Sequence, residues 1–259
     1  TQFRLWYAQA GTPDVRVEGS YDAAGKRYTL TVGQYLRPTP GQPVKTPFHI
    51  PLAVGLVGPD GRDLPLTLDG ERSPGATTRV LDLTRSAQSF HFVDVPARPV
   101  PSLLRGFSAP VRLVSDHSPD ELAFLAAHDS DPVNRWDAAQ RSFADAVLRV
   151  AAGIAAGEPP ALPPTLPALV RALLADDASD PALVALALTP PDLAYLAGLV
   201  SSIDADALFA AREFVTRELA RLDREAFERV YATRRVRDAY APSPAQTGAR
   251  RLANLCLGY

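Results

Sequence analysis

The sequence predicts a mixed, segregated fold: an N-terminal all-β sandwich followed by an all-α helical array of solenoid-like character. Three observations carry the prediction. Short segments that alternate apolar and polar residues, punctuated by Gly, Pro and Asp, run to about residue 116. From residue 117 onward the apolar spacing becomes helical, and the helix starts repeat one theme, an oxygen-bearing side chain followed by Pro. With 46% hydrophobic and 22% charged residues, the composition is that of an ordinary globular chain able to bury a core.

The β elements read in order. Val15-Arg16-Val17-Glu18 alternates, Ser20 to Lys26 turns, and Tyr28 to Val32 alternates again. Phe48 to Val57 is a longer strand-like run, closed by the turn Gly58-Pro59-Asp60-Gly61. Leu64 to Leu68, Thr78 to Leu83, Ser89 to Val95 and Val111 to Ser115 complete a set that fits a sandwich.

The helical half opens at Ser118-Pro119-Asp120-Glu121, a capping box with Pro at the first helical position. Asp131-Pro132, Asp180-Pro181, Thr189-Pro190-Pro191-Asp192 and Ser243-Pro244-Ala245-Gln246 repeat that arrangement. Each supplies an acceptor for the orphan N–H groups of a first turn, and places Pro where its missing N–H is harmless. From Asp204, the residues Leu208, Ala211, Val215, Leu219, Leu222 and Ala226 make one apolar stripe. Glu213–Arg217 and Glu225–Arg229 are spaced to pair on its solvated side. The Pro-rich stretch Glu158 to Pro167 reads as a stiff connector between helices. The expected domains are residues 1–12, 13–116 and 117–259.

Formal net charge is −2, with no acidic or basic tail, so neither a nucleic-acid footprint nor a polybasic membrane patch is expected. No apolar run is long enough to span a membrane, and no basic-then-apolar leader opens the chain. A single cysteine, Cys256, forbids an internal disulfide and fits a cytoplasmic location. Lysine is confined to Lys26 and Lys45 while arginine is abundant, a balance expected of a GC-rich bacterial genome. The chain holds no Met and starts at Thr1, and that start points to a piece of a longer protein.

Residues able to do chemistry are few. A zinc peptidase needs two His one helical turn apart with a Glu between them. The histidines, His49, His91, His117 and His128, do not have that spacing. His117 and Glu121 could share a helix face, but a helix entry with a solvated His and a capping Glu explains them better. His49 and His91 lie in expected strands without a partner spacing. Nucleophile-elbow and phosphate-loop motifs are missing. Cys256 sits among apolar neighbours, where burial would raise its pKa. Asp176-Asp177 and Asp204/Asp206 read as helix-end carboxylates, and Trp136 and Tyr35 as packing anchors. No catalytic or metal residue is therefore assigned, and substrate-binding residues stay unassigned.

Five stretches, in order along the chain, resemble bacterial aminopeptidase N, a family of zinc metallopeptidases. They are Gln2-Phe3-Arg4-Leu5-Trp6-Tyr7-Ala8-Gln9-Ala10-Gly11-Thr12-Pro13, Phe48-His49-Ile50-Pro51, Pro99 to Val111, Arg135-Trp136-Asp137-Ala138-Ala139-Gln140, and Ala249 to Leu257. The most specific is Pro99-Val100-Pro101-Ser102-Leu103-Leu104-Arg105-Gly106-Phe107-Ser108-Ala109-Pro110-Val111. The resemblance implies that residues 1–12 end the zinc-bearing domain, that a small β-sandwich follows, and that the helices begin a C-terminal domain. It also implies zinc in the longer protein but not in this chain, peptides as its substrate, and the zinc-bearing domain of the same polypeptide as the main partner. This chain would act as spacer and cover. The competing reading is a stand-alone β-sandwich and helical interaction module without enzymatic activity. The terminal helix, Ser243 to Tyr259, is expected to be frayed or buried against a neighbouring molecule.

Overall fold

The structure is a computed structural model describing residues 1–259. After a short opening helix, strands occupy the chain from Asp14 to Ser115 and the remaining α-helices follow from Pro119, so the segregated β-then-α order holds. Two compact units result: Thr1–Ser118 with His128–Asn134, and Pro119–Ala127 with Arg135–Tyr259.

In the first unit, β1 (Asp14–Asp22), β2 (Arg27–Tyr35), β4 (Thr67–Leu68), β6 (Ala87–Val93) and β8 (Arg112–Ser115) form a five-stranded sheet in the order β4-β6-β2-β1-β8. The second sheet has the order β5-β3-β7, from β3 (Ile50–Val57), β5 (Arg79–Leu83) and β7 (Val100–Leu103). β1 and β2 pair antiparallel with Val17 opposite Val32, and β8 runs parallel to β1 with Val15 opposite Leu113. The period-two pattern does what it should. Val15 and Val17 are buried while Arg16 and Glu18 are exposed. Both sheets feed one core that includes Leu30, Val32, Ile50, Leu52, Leu56, Leu81, Leu83 and Phe92.

Alternation fails in β3, where Leu52 through Val57 are all buried. Its outward side is covered by the turn after β7: Ser108 Oγ accepts the Ala53 N–H at 2.9 Å, and the Arg105 guanidinium lies over Gly55. That cover explains why the sequence shows an apolar run there instead of an alternating one.

β7 was not anticipated, because Pro101 interrupts it. Proline is tolerated there because β7 is an edge strand with β3 as its one neighbour. The turn placed at Ser20 is shorter than expected: β1 continues to Asp22, and Lys26 takes a positive φ of 47°.

The second unit contains α4 (Thr165–Leu174), α5 (Pro181–Leu188), α6 (Leu193–Gly198), α7 (Ala205–Leu222), α8 (Arg224–Arg234) and α9 (Pro244–Gly258). Most of α2 (Pro119–His128) and α3 (Pro132–Ala155) belongs to it as well. The caps behave as the sequence predicts. Asp180 accepts from Ala182 N, Asp204 from Ala207 N and Ser243 from Gln246 N. Asp131 Oδ1 accepts from the N–H groups of Val133 and Asn134 at the start of α3.

Four expectations need correction. The helix from Asp204 stops at Leu222, which is 43% exposed, and Ala226 belongs to α8. The break falls at Asp223, a buried residue with φ −121° and ψ 25° that receives an ion pair from Arg171. The short-range pairs on these helices are Glu218–Arg221 and Arg224–Glu228 instead of those expected from spacing. At Thr189-Pro190-Pro191-Asp192 the cap is Asp192, while Thr189 ends α5 and donates its hydroxyl to the Ala185 carbonyl at 2.7 Å. α9 is not frayed. It packs on α5 and α8, buries Leu252, Ala253 and Cys256, and Tyr259 donates its hydroxyl to the Leu188 carbonyl at 2.7 Å while stacking on Phe227.

Candidate functional site

The densest polar site lies in the first unit, within the stretch that gives the most specific family resemblance. After β7 the backbone enters the left-handed region at Leu104 (φ 58°), Gly106 (φ 63°) and Phe107 (φ 54°). A non-glycine residue there costs about 1–2 kcal/mol, so the turn must be held by its contacts. The result is a 3-10 turn, Arg105–Phe107, that sends the Arg105 side chain inward while Phe107 is left exposed. The Arg105 side chain is 4% exposed.

All five guanidinium donors are used. Nε donates to Ser102 Oγ at 2.7 Å. Nη1 donates to Asp63 Oδ2 and to Thr78 Oγ1, each at 2.9 Å. Nη2 donates to Asp63 Oδ1 at 2.7 Å and to Asp129 Oδ1 at 3.2 Å. Asp63 is thus held in the bidentate fork that suits a guanidinium. Ser102 completes its own set: it accepts from Arg105 and from Asn134 Nδ2 at 2.8 Å, and its hydroxyl bonds to the Asp129 carboxylate. Gly55 makes room for this, since a Cβ there would fall 2.1 Å from Arg105 Cζ.

The carboxylates differ in charge preference. Burial works to raise Asp63, but hydrogen bonds from Arg105 and Ser130 and the Arg105 charge hold it below the ordinary carboxylate value. Burial dominates at Asp129 and pushes it up despite the same guanidinium. Arg105 is raised: burial opposes its charge, but the Asp63 hydrogen bonds and the surrounding carboxylates outweigh it. Chemically the site is a clasp. It ties β7, the loop after β3, the approach to β5 and residues 129–134 to one cation, and leaves that cation no free donor for a ligand.

A second ordered region is the opening segment. Trp6, on α1 (Leu5–Ala8), stacks on Phe48 at 4.4 Å and donates Nε1–H to the His49 carbonyl at 2.9 Å. Gln2 donates to the carbonyls of Pro47 and Thr84, and Gln9 exchanges two bonds with Thr46. Tyr7, by contrast, is 88% exposed.

The structure does not bring the four histidines together. His49 bonds Asp82 at 2.6 Å, and His91 bonds Thr29 at 3.0 Å across the β2–β6 pair. His117 precedes α2 and donates Nε2–H to the Pro101 carbonyl at 2.8 Å. The His128 ring lies against Gly61. No group of three His, Cys, Asp or Glu side chains is placed to hold a metal ion, so the zinc implied for the longer protein has no fitting donor set here. Cys256 is buried, and burial pushes its thiol up to about 11. Asp177 pairs with Arg234, and Asp176 with Arg135. Trp136 and Tyr35 are 39% and 60% exposed, so neither is the packing anchor expected from its type.

Two family models match the chain in sequence order. Residues 11–116 match one described as "Domain of unknown function (DUF3458) Ig-like fold". Residues 119–259 match one described as "Domain of unknown function (DUF3458_C) ARM repeats". The chain belongs to the DUF3458_C family. Among proteins similar to this DUF3458_C chain are Aminopeptidase N of Escherichia coli (strain K12), 37% identical over 259 residues, and Aminopeptidase N of Haemophilus influenzae, 35% identical over 258 residues. Aminopeptidase N of Caulobacter vibrioides is 38% identical over 251 residues. The match takes in 100% of this chain but 29% of the E. coli protein, so the chain spans under a third of its relatives' length. The fold is similar to a solved structure of Legionella pneumophila aminopeptidase A in complex with aspartic acid, with a TM-score of 0.79 over 99% of this chain and 28% of that one. At 24% identity this likeness speaks to fold alone. The resemblance to bacterial aminopeptidase N thus extends from five short stretches to the whole DUF3458_C chain.

The sequence reading did not single out Arg105, Asp63 or Asp129 as a group. One signal was present: an arginine followed by Gly directly after the mostly apolar run Pro101-Ser102-Leu103-Leu104 is costly to bury unless its charge is paired.

Proposed function

We propose that this chain is the non-catalytic part of an aminopeptidase N-type zinc metallopeptidase, a protein that removes N-terminal residues from peptides. The observation that carries the reading is the order: an Ig-like sandwich and then ARM-type helices, matched over the whole chain to Aminopeptidase N relatives more than three times longer. In this reading, residues 1–12 end the zinc-bearing domain, residues 13–116 are a spacer, and residues 117–259 begin a helical cover. Zinc belongs to the longer protein, and its partner here is the zinc-bearing domain of the same polypeptide. The location proposed is the cytoplasm. No helix is long and apolar enough to cross a membrane.

What this chain's own residues contribute is shape. The Arg105 clasp and the Trp6–Phe48 stack fix the backbone around the sandwich, and the capped helices supply a wall. Such a wall would exclude folded substrates and confine the reaction. Sequencing the gene upstream of the Thr1 codon tests the assignment: an in-frame H-E-x-x-H segment is expected, and a reading frame without one removes it. The cover role has its own test. In the full-length protein, loss of residues 117–259 should weaken discrimination between short peptides and folded proteins. Unchanged discrimination would leave the spacer role alone.

A further inference from the structure

We propose that Asp129 is held in the folded chain as a neutral carboxylic acid, so that the Arg105 clasp carries one proton and loosens when that proton leaves. The inference rests on geometry and does not depend on the proposed function. Arg105 gives Asp63 two short bonds, but reaches Asp129 through one oxygen at 3.2 Å. The Asp129 side chain is 0% exposed, and its Oδ2 has no hydrogen-bond partner. An orphaned oxygen costs more on a carboxylate than on a neutral acid, because the charge must also be desolvated.

The charged groups facing Asp129 point the same way. They are Arg105 from the 3-10 turn, Asp63 across the same guanidinium, and Asp131 on the segment of Asp129 itself. With every acid ionised, one cation would face three anions, and Asp63 already holds the guanidinium in its fork. Nearby partners are neutral: Ser102, Asn134 and Thr78. Protonating Asp129 removes the most deeply buried excess charge. It leaves Oδ1 able to accept the Asp131 N–H at 2.9 Å and the Ser102 hydroxyl bond intact. Ionisation would act on the segment that Asp129 anchors. There Asp131 accepts the Gly106 N–H at 2.8 Å and caps the first turn of α3.

The sign is opposite to that of a salt-bridged carboxylate. A carboxyl whose folded form prefers the proton contributes its stability fully below the ordinary value of about 4, and that contribution is lost as pH rises through its folded pKa. The test is a site-assigned carboxyl ¹³C titration of the full chain, alongside amide protection at Gly106 and Asp131 in the wild type and in Asp129→Asn. The proposal expects Asp129 to ionise at higher pH than Asp63. Wild-type protection should fall as pH rises, by about tenfold for each pH unit by which folding raises the carboxyl, and Asp129→Asn should show no such fall. Asp129 and Asp63 ionising together in the acid range would overturn it, as would a variant whose protection follows the wild-type pH curve. If Asp129→Asn does not fold, the wild-type titration decides alone.

Discussion

Arg105 in the sandwich unit and Arg135 in the helical unit do the same job with different degrees of commitment. Each pins loops that have no ladder of their own. Arg105 is 4% exposed, uses all its donors and lies on Gly55 with no room to move. Arg135, 14% exposed, bonds the Ala126 carbonyl, Ser179 and Asp176, a residue that also accepts the N–H groups of Ala178 and Ser179. The difference teaches where a charge is worth burying. In the sandwich a strained turn must be held against a sheet face, and only a planar five-donor fork satisfies every neighbour at once. Between helices the local caps already do much of the work, so the arginine adds to an arrangement the backbone prefers.

That contrast can be broken in several ways. Arg105→Met should be the most damaging change, because it leaves the largely buried Asp63 carboxylate without its cation and takes a donor from Asp129; a loss of about 3–5 kcal/mol is expected in urea denaturation. Gly55→Ala should come next, at about 1–3 kcal/mol, since the added Cβ displaces the guanidinium. Arg135→Ala should cost a comparable amount, about 1–3 kcal/mol and less than Arg105→Met, because water can reach part of the vacated site. Equal losses for Arg135→Ala and Arg105→Met would erase the distinction. Removing one cap with Ser243→Ala should lower stability by about 1 kcal/mol, read as a shift in thermal midpoint.

Acid should act on both sites alike. Burial opposes ionisation at Asp176, yet hydrogen bonds from Arg135 and Ser179 hold its pKa below the ordinary value, as the Arg105 fork does at Asp63. Stability from both is present above about 4 and is lost as pH falls through their folded values. A pH series of urea midpoints should therefore decline on the acid side, and Asp176→Asn should flatten part of that decline.

Legibility followed the same divide. Features that depend on neighbours along the chain were readable. The caps Asp131, Asp180, Asp204 and Ser243 stand at their helix starts, and Val15 and Val17 point into the core. Features that depend on distant partners were not. Asp223 breaks a continuous apolar stripe because it is buried and paired with Arg171, 52 positions away. β7 contains a proline that only its edge position permits. The clasp joins residues 63, 78, 102, 105 and 129, and no local pattern links them. Trp136 and Tyr35 show the converse, large aromatic residues whose type promised burial that their place on the surface denies.

The measurement that tests the functional account most directly is turnover. Purified chain would be incubated with zinc and an alanine anilide, and release of the aniline followed. The account predicts no hydrolysis above buffer, because the histidines of this chain each answer to a different neighbour. Sustained hydrolysis that scales with the concentration of this chain would contradict it.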